Sequence, residues 1–402
     1  MSILSSLLLL ILVARIFGEI FKRFQQPALL GEILAGILLG PSVLNLIGAS
    51  APLSGISELA MFLIILSAGL EMDFKQVIGS FKGKGLVVAF LGFAIPFAGG
   101  ILVGHIFELD RMRTIFLGLC ISITALPVAI RILKSFNLLN HPISQYSVVT
   151  AVVNDVLALF ALGIILKLPE GGDYSQLTLS IGWGVIKLIV LVLFILAMNY
   201  ALEKIETRGI KISWVPEKLV ELFGKEALLG ILIIFVLAVG SVSEILGSHF
   251  VIGAFFGALL IDRKLFLSSR FDEIEQSLSS INSGFLAPIF FVYLGLECNI
   301  RALPSISLLI TIIFISIATK VFAGWLAGKL IGLHDPMPLG IGVILNGRGV
   351  MELIVAKIAY NYGFIGEGLY SALVLMGIVT TFITPIMFKH LVVSKLQSEA
   401  TA

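Results

Sequence analysis

Long apolar runs separated by short segments rich in charge, Pro or Gly make up nearly the whole chain. A helix needs about 20 apolar residues, within a range of roughly 17–25, to cross a bilayer's hydrocarbon. On that template the predicted spans are Ile3–Ile20, Ala28–Leu44, Ile56–Glu71, Gly85–Phe107, Thr114–Leu133, Gln145–Lys167, Leu177–Leu202, Glu226–Ile245, Phe250–Asp262, Ile281–Glu297, Ser305–Ile331, Leu339–Ile358 and Gly368–Phe388. The expected class is an all-α polytopic membrane protein with about 13 transmembrane helices. The first run has no basic lead and no A-x-A site, so it reads as a retained helix rather than a cleaved signal.

Composition agrees. Of 402 residues, 58% are hydrophobic and 13% charged, against about a quarter charged in soluble proteins. The formal net charge of +2 implies no nucleic-acid partner; what matters is where the cations fall. Threaded through the spans, one face receives Lys22, Lys84, Lys134, Lys204, Lys329 and Lys389 with many others, and the opposite face only Arg111, Arg113, Lys167 and Arg301. The positive-inside rule makes the rich face cytoplasmic, with the N-terminus outside, the C-terminus inside and the protein in the cell (inner) membrane. Cys120 and Cys298 lie in apolar surroundings and suggest neither a metal site nor a disulfide framework.

An internal repeat is visible. GEILAGILLGPSVL at Gly31–Leu44 resembles IGAFFGALLIDRKL at Ile252–Leu265, SAGLEMD at Ser67–Asp73 resembles YLGLECN at Tyr293–Asn299, and TALPVAIRIL at Thr124–Leu133 matches NGRGVMELIV at Asn346–Val355 at nearly the same offset. The unit is about six spans, with the seventh as connector, so the second unit enters from the opposite face. The expected division is 1–167 and 226–391 as inverted repeats, 168–225 as connector span and cytoplasmic loop, and 392–402 as a short tail. Inverted repeats mark secondary transporters, whose site lies near the midplane where the repeats meet.

Candidate chemistry follows from charges inside spans, which are costly unless they face a partner or a water-filled site. Asp155, preceded by Asn154, sits near the middle of the sixth span and is the leading candidate. In the fifth span Pro127, with the Ser122 and Thr124 hydroxyls, marks a broken helix whose freed carbonyls can bind cations. Gly347 and Gly349 mark the matching break in the twelfth. Arg348 and Glu352 share a helical face and satisfy each other, and Lys320, mid-span, belongs near Asp155. Arg15, Arg131, Lys187 and Lys357 fall nearer span ends, where packing or snorkelling is expected, and Glu32, Glu71 and Glu297 read as structural or vestibule carboxylates.

The ordered segments QPALLGEILAGILLGPSVL, SAGLEMDFK, TALPVAIRIL, VVNDVLALF, TKVFAG and NGRGVMELIV resemble the monovalent cation:proton antiporter superfamily, in the branch holding Kef-type potassium efflux proteins, GerN-type sodium exchangers and plant CHX exchangers. The resemblance implies a core domain with two crossed broken helices, an elevator-like movement against a panel domain, and a homodimer. It places the essential cation- and proton-binding carboxylate on Asp155, with Asn154 before it and Thr124 beside the ion. Lys320 matches the family's basic residue and Arg348 the arginine of the second crossing helix. Where sodium-exchanging relatives carry Asp-Asp and Kef-type relatives Gln-Asp, this chain has Asn-Asp, and Leu126 stands where another branch has an aspartate.

The expected function is exchange of Na⁺ or K⁺ for H⁺, with no cofactor. One titratable carboxylate predicts an electroneutral one-for-one exchange. A gated monovalent cation channel is the alternative; an enzyme is disfavoured, since HExxH and GxSxG are absent and an aspartyl mechanism needs a second intramembrane aspartate. Kef-type relatives often continue into a nucleotide-binding domain, whereas this sequence ends shortly after its last span without a GxGxxG-bearing βαβ unit. A separate cytoplasmic regulatory subunit is one way to supply that function.

Overall fold

The computed structural model describes residues 2–24, 26–72, 83–166, 226–246, 249–261 and 268–396, with scattered positions at 77–80 and 182–224. The expected seventh span and the loop after it fall largely outside the described residues. Among the described residues there are helices and connecting turns but no strands. The helices are α1 Ile3–Arg23, α2 Ala28–Leu39, α3 Ala51–Leu70, α4 Lys84–Ile106, α5 Arg111–Ser122, α6 Leu126–Ser135, α7 Pro142–Ile165, α8 Glu226–Ile245, α9 Phe250–Leu259, α10 Ser268–Ile281, α11 Ala287–Glu297, α12 Ile306–Leu330, α13 Met337–Ile344, α14 Val350–Asn361 and α15 Glu367–Phe388. Nine helical runs among the described residues are long and apolar enough to cross a membrane, so the protein is a multi-pass membrane protein.

Capping residues set the ends of several helices. Ser2, Asp110 and Ser305 each accept a backbone N–H from the first turn of α1, α5 and α12, satisfying donors that the helix leaves orphaned. The fifth and twelfth expected spans are each two helices: α5 and α6 flank an extended stretch at Ile123–Ala125, and α13 and α14 flank one around Asn346–Gly349. Pro127 sits in the first turn of α6 rather than inside a helix. There its missing N–H costs nothing, so the helix breaks before the proline. One helix had no counterpart among the expected spans. The polar α10 continues through a π-helical turn at Asn282–Leu286 into α11, forming one helical run, Phe271–Glu297.

The chain packs as two compact units, one of Met1–Ser57, Val77–Ala158 and Pro288–Ala402, the other of Glu58–Gln76 and Leu159–Ala287. Each draws on both halves of the sequence, a different division from that by repeat. In the first unit, α1, α2 and α11 enclose Leu10, Ala14, Ala35, Leu39, Val292 and Leu296. Two glycines permit this: a Cβ on Gly36 would lie 2.8 Å from the Gly295 Cα, and one on Gly295 2.8 Å from the Gly36 Cα. Further round, α4 meets α5 with Gly100 against Gly118 and Gly104 against Thr114. The same pair of close approaches recurs 224 residues later, where α12 meets α13 with Gly324 against Gly342 and Gly328 against Pro338. In the second unit, α3 lies against α9 through Gly69 and the Phe255 carbonyl, and Asn282 of the π turn donates to the Leu63 carbonyl at 2.8 Å and to the Ser67 hydroxyl.

Candidate functional site

In the first unit, the two helix breaks cross and bond to each other. The Ala125 N–H donates to the Gly347 carbonyl at 2.9 Å, and the Thr124 hydroxyl donates to the Leu345 carbonyl at 3.1 Å. Gly349 is extended (φ −168°), a conformation open to any residue, so its requirement is for space: a Cβ there would lie 2.6 Å from the Ala125 Cβ. A break inside the hydrocarbon leaves carbonyls without helical donors, and each needs another partner.

Two buried cations supply those partners. Arg348, 1% exposed, donates from Nη1 to the Cys120 carbonyl at 3.0 Å and to the Ile123 carbonyl, and from Nη2 to the Ser316 hydroxyl. Thr381 of α15 fixes the arginine's own backbone, accepting from its N–H at 2.9 Å and donating to its carbonyl at 3.1 Å. Lys320, fully buried, donates to the Gly92 carbonyl at 3.0 Å, to the Ser122 carbonyl and to Thr124 Oγ1 at 2.8 Å. The Cys120, Ser122 and Ile123 carbonyls at the first break are thus engaged by the two cations. The Ala125 carbonyl accepts from the Ala129 N–H as α6 begins.

Asp155 lies on α7 about 20 Å from the Pro142 end and about 15 Å from the Ile165 end, at about 1.5 Å per residue. It is 3% exposed, and its Oδ1 has no hydrogen-bond donor. Lys320 is its electrostatic partner. Asn154, fully buried, donates from Nδ2 to Thr124 Oγ1 at 3.5 Å and leaves its Oδ1 unpartnered. Thr124 is thus the junction of the cluster, tied to both breaks, to Lys320 and to Asn154. Its hydroxyl meets Lys320 in this conformation. The hydroxyl of Ser122, the other one expected in this break, donates to the Gly118 carbonyl at 2.6 Å and stays within its own helix.

Glu352 sits in the first turn of α14, where a helix favours a carboxylate. Its Oε2 lies 3.6 Å from Arg348 Nε, yet neither carboxylate oxygen receives a hydrogen bond. The two residues expected to satisfy each other form only a loose ion pair: the Nη atoms serve the first break and Ser316, while Nε faces Glu352 without a hydrogen bond. The arrangement places two buried cations beside two under-coordinated carboxylates, Asp155 and Glu352, and one unpartnered amide oxygen, that of Asn154.

The family profile described as "Sodium/hydrogen exchanger, transmembrane" matches residues 8–394. The chain belongs to that family. Over 96% of its length it is 27% identical to a Na(+)/H(+) antiporter of Enterococcus hirae, covering 97% of that protein. It is 25% identical to the Na(+)/H(+)-K(+) antiporter GerN of Bacillus cereus over 95% of this chain and 94% of that one. It is also 29% identical to Cation/H(+) antiporter 15 of Arabidopsis thaliana over 95% of its own length and 47% of the plant protein. The solved structure of the sodium proton antiporter MjNhaP1 from Methanocaldococcus jannaschii superimposes with a TM-score of 0.68 at 16% identity, covering 96% of this chain and 95% of that one. The fold is the antiporter fold. These relatives are transporters rather than enzymes.

Within this exchanger-family chain, sequence reasoning overlooked Ser316, Thr381 and the Gly92 carbonyl. Ser316 stands four residues before Lys320 on α12, so helical spacing from Lys320 was the one signal that could have found it. Lys357, expected to pack or snorkel at a span end, is 3% exposed and paired with Glu297, its Nζ 5.0 Å from the Tyr293 ring centroid. Arg15 and Lys187 are exposed and Arg131 is half-buried. Glu32 is buried between α1 and α2 with its Oε1 close to Gly18, and Glu71 lies near Glu275 in the second unit.

Proposed function

We propose that this protein exchanges a monovalent cation, Na⁺ or K⁺, for H⁺, with both competing for Asp155. The observation that carries the reading is the carboxylate's setting: buried, mid-helix, beside the crossed breaks, with Oδ1 lacking a donor while the nearby cations are committed to carbonyls. A dehydrated Na⁺ or K⁺ is a hard ion that needs oxygen donors, which the Asp155 carboxylate and the Asn154 Oδ1 provide. Thr124 joins them when Lys320 swings off its hydroxyl. A proton on Asp155 removes the charge that holds the metal ion, so occupancy is one or the other. The empty, ionised site is the costly form to carry across an apolar barrier, at about 2.5–3.5 kcal/mol or more, which ties reorientation to a loaded site. Arg348, Ser316 and Thr381 clamp the crossing; Glu352 and Pro127 support it.

The two halves at an offset of 224 support an inverted-repeat transporter with alternating access. The distribution of Lys and Arg supports an N-out, C-in orientation in the cell membrane. The family likeness supports a dimer in which the unit holding Asp155 moves. With one exchanging carboxylate the stoichiometry is one to one and electroneutral, so imposing a membrane potential across vesicles leaves the initial rate unchanged; a voltage-dependent rate rules this out.

The test is collapse of an imposed pH gradient in proteoliposomes on addition of Na⁺, K⁺, Li⁺ or Rb⁺. Wild type collapses it with at least one of them, and Asp155→Asn with none. Ion current through Asp155→Asn with no cation-driven proton movement in wild type overturns exchange in favour of a channel.

A further inference from the structure

Hydroxyls inside membrane helices normally spend their proton on the carbonyl one turn back. Three buried ones here do so, Ser122 to Gly118 at 2.6 Å, Thr380 to Met376 at 2.8 Å and Thr384 to Thr380 at 2.7 Å, as does the half-buried Thr319 to Ile315 at 2.6 Å. Ser147 and Thr150 on α7 do not. Both are fully buried, and neither Ser147 Oγ nor Thr150 Oγ1 has a hydrogen-bond partner. Two such groups on one helix need a reason, since an unmet buried polar group costs about 1–3 kcal/mol.

Their placement supplies one. At about 100° per residue, Ser147, Thr150 and Asn154 fall within an arc of about 60°, and at about 1.5 Å per residue they climb the helix in steps of about 5 and 6 Å. The line ends on the unpartnered Asn154 Oδ1; Asp155, whose Oδ1 is also unpartnered, is the next residue, about 100° further round the helix. It begins nearer the Pro142 end of α7, the side that carries Lys134. Thr150 sits beside Gly92, whose carbonyl receives Lys320; a Cβ on that glycine would lie 3.2 Å from the Thr150 Cγ2. The three oxygens on this face are of the type that holds a monovalent cation, and they rise toward the residue that precedes Asp155.

We propose that Ser147 and Thr150 form a second cation subsite, an approach position for a partly dehydrated Na⁺ or K⁺ on the lysine-rich side of Asp155. This rests on the exchange reading above. A cation there is held first by Ser147 Oγ and Thr150 Oγ1 and then by Thr150 Oγ1 and Asn154 Oδ1, neighbours one turn apart, before it reaches the carboxylate. The subsite therefore sets apparent cation affinity and selectivity, and leaves proton binding at Asp155 alone.

The experiment compares Ser147→Ala, Thr150→Val, their double variant and Thr150→Ser with wild type. It reads initial exchange rate against cation concentration at fixed pH, and equilibrium binding of radiolabelled Na⁺ or Rb⁺ to the purified protein. The double variant is expected to raise both the cation KM and the binding constant about tenfold, the size of one lost ligand contact, with the maximal rate and thermal unfolding kept. Thr150→Ser, which keeps the hydroxyl, is expected to behave as wild type. Unchanged KM and binding in the double variant overturn the subsite, as does a Thr150→Ser effect equal to that of Thr150→Val, which would assign the role to the methyl group. If wild type binds cation without exchanging it, the exchange reading fails and the binding comparison alone decides the subsite.

Discussion

Lys320 and Arg348 each bring a positive charge into the hydrocarbon, where it meets backbone carbonyls at the crossing and, for Lys320, also the Gly92 carbonyl that Pro96 deprives of its helical donor. An arginine suits its place because its planar fork reaches several acceptors at once, which a lysine's single ammonium cannot. Arg348→Lys should therefore leave the Ile123 carbonyl or the Ser316 hydroxyl unpaired, at about 1.5–3 kcal/mol per charged hydrogen bond. The expected result is a lower midpoint of thermal unfolding in detergent together with loss of exchange; wild-type stability in that variant would remove the clamp. The charged residues of the site were legible because a charge within an apolar run stands out. Their partners were harder to see: the Gly92 carbonyl is marked only by Pro96 four residues on, and serine or threonine in a membrane helix usually satisfies itself, so Ser316 and Thr381 looked ordinary.

Among the elements, the helices and both interruptions could be read from hydrophobic run length and from Pro and Gly. The detail could not. Proline marked the fifth span, but it begins α6 instead of bending a continuous helix, because the first turn is where its missing N–H is harmless. The polar α10 escaped a reading based on hydrophobic runs, since only a few of its side chains, Phe271, Ile274 and Leu278 among them, are buried. Close approach is a further element-scale property. Gly295→Ala places a Cβ 2.8 Å from both the Gly36 Cα and the Ile37 nitrogen, backbone atoms that cannot rotate away. Overpacking of this kind costs about 1–3 kcal/mol, so the midpoint of thermal unfolding should fall by several degrees; an unchanged midpoint would mean that α2 and α11 separate freely.

On the scale of the whole molecule, the unit containing both breaks, α7 through Ala158, Lys320 and Arg348 carries every residue of the candidate site. The close glycine contacts recur 224 residues apart in the two helix pairs, α4 with α5 and α12 with α13, that lead into the two breaks. The sequence motifs hinted at that relation; the packing gives it a physical form. In the proposed exchange, cation and proton are alternatives at one carboxylate. The most direct test is the dependence of the apparent cation KM on pH in wild-type proteoliposomes. Direct competition predicts that, on the acidic side of the site's own titration, each unit drop in pH raises KM about tenfold, as proton binding at one competing group requires, while the maximal rate stays constant. A KM independent of pH, with only the maximal rate falling, would contradict a shared site at Asp155.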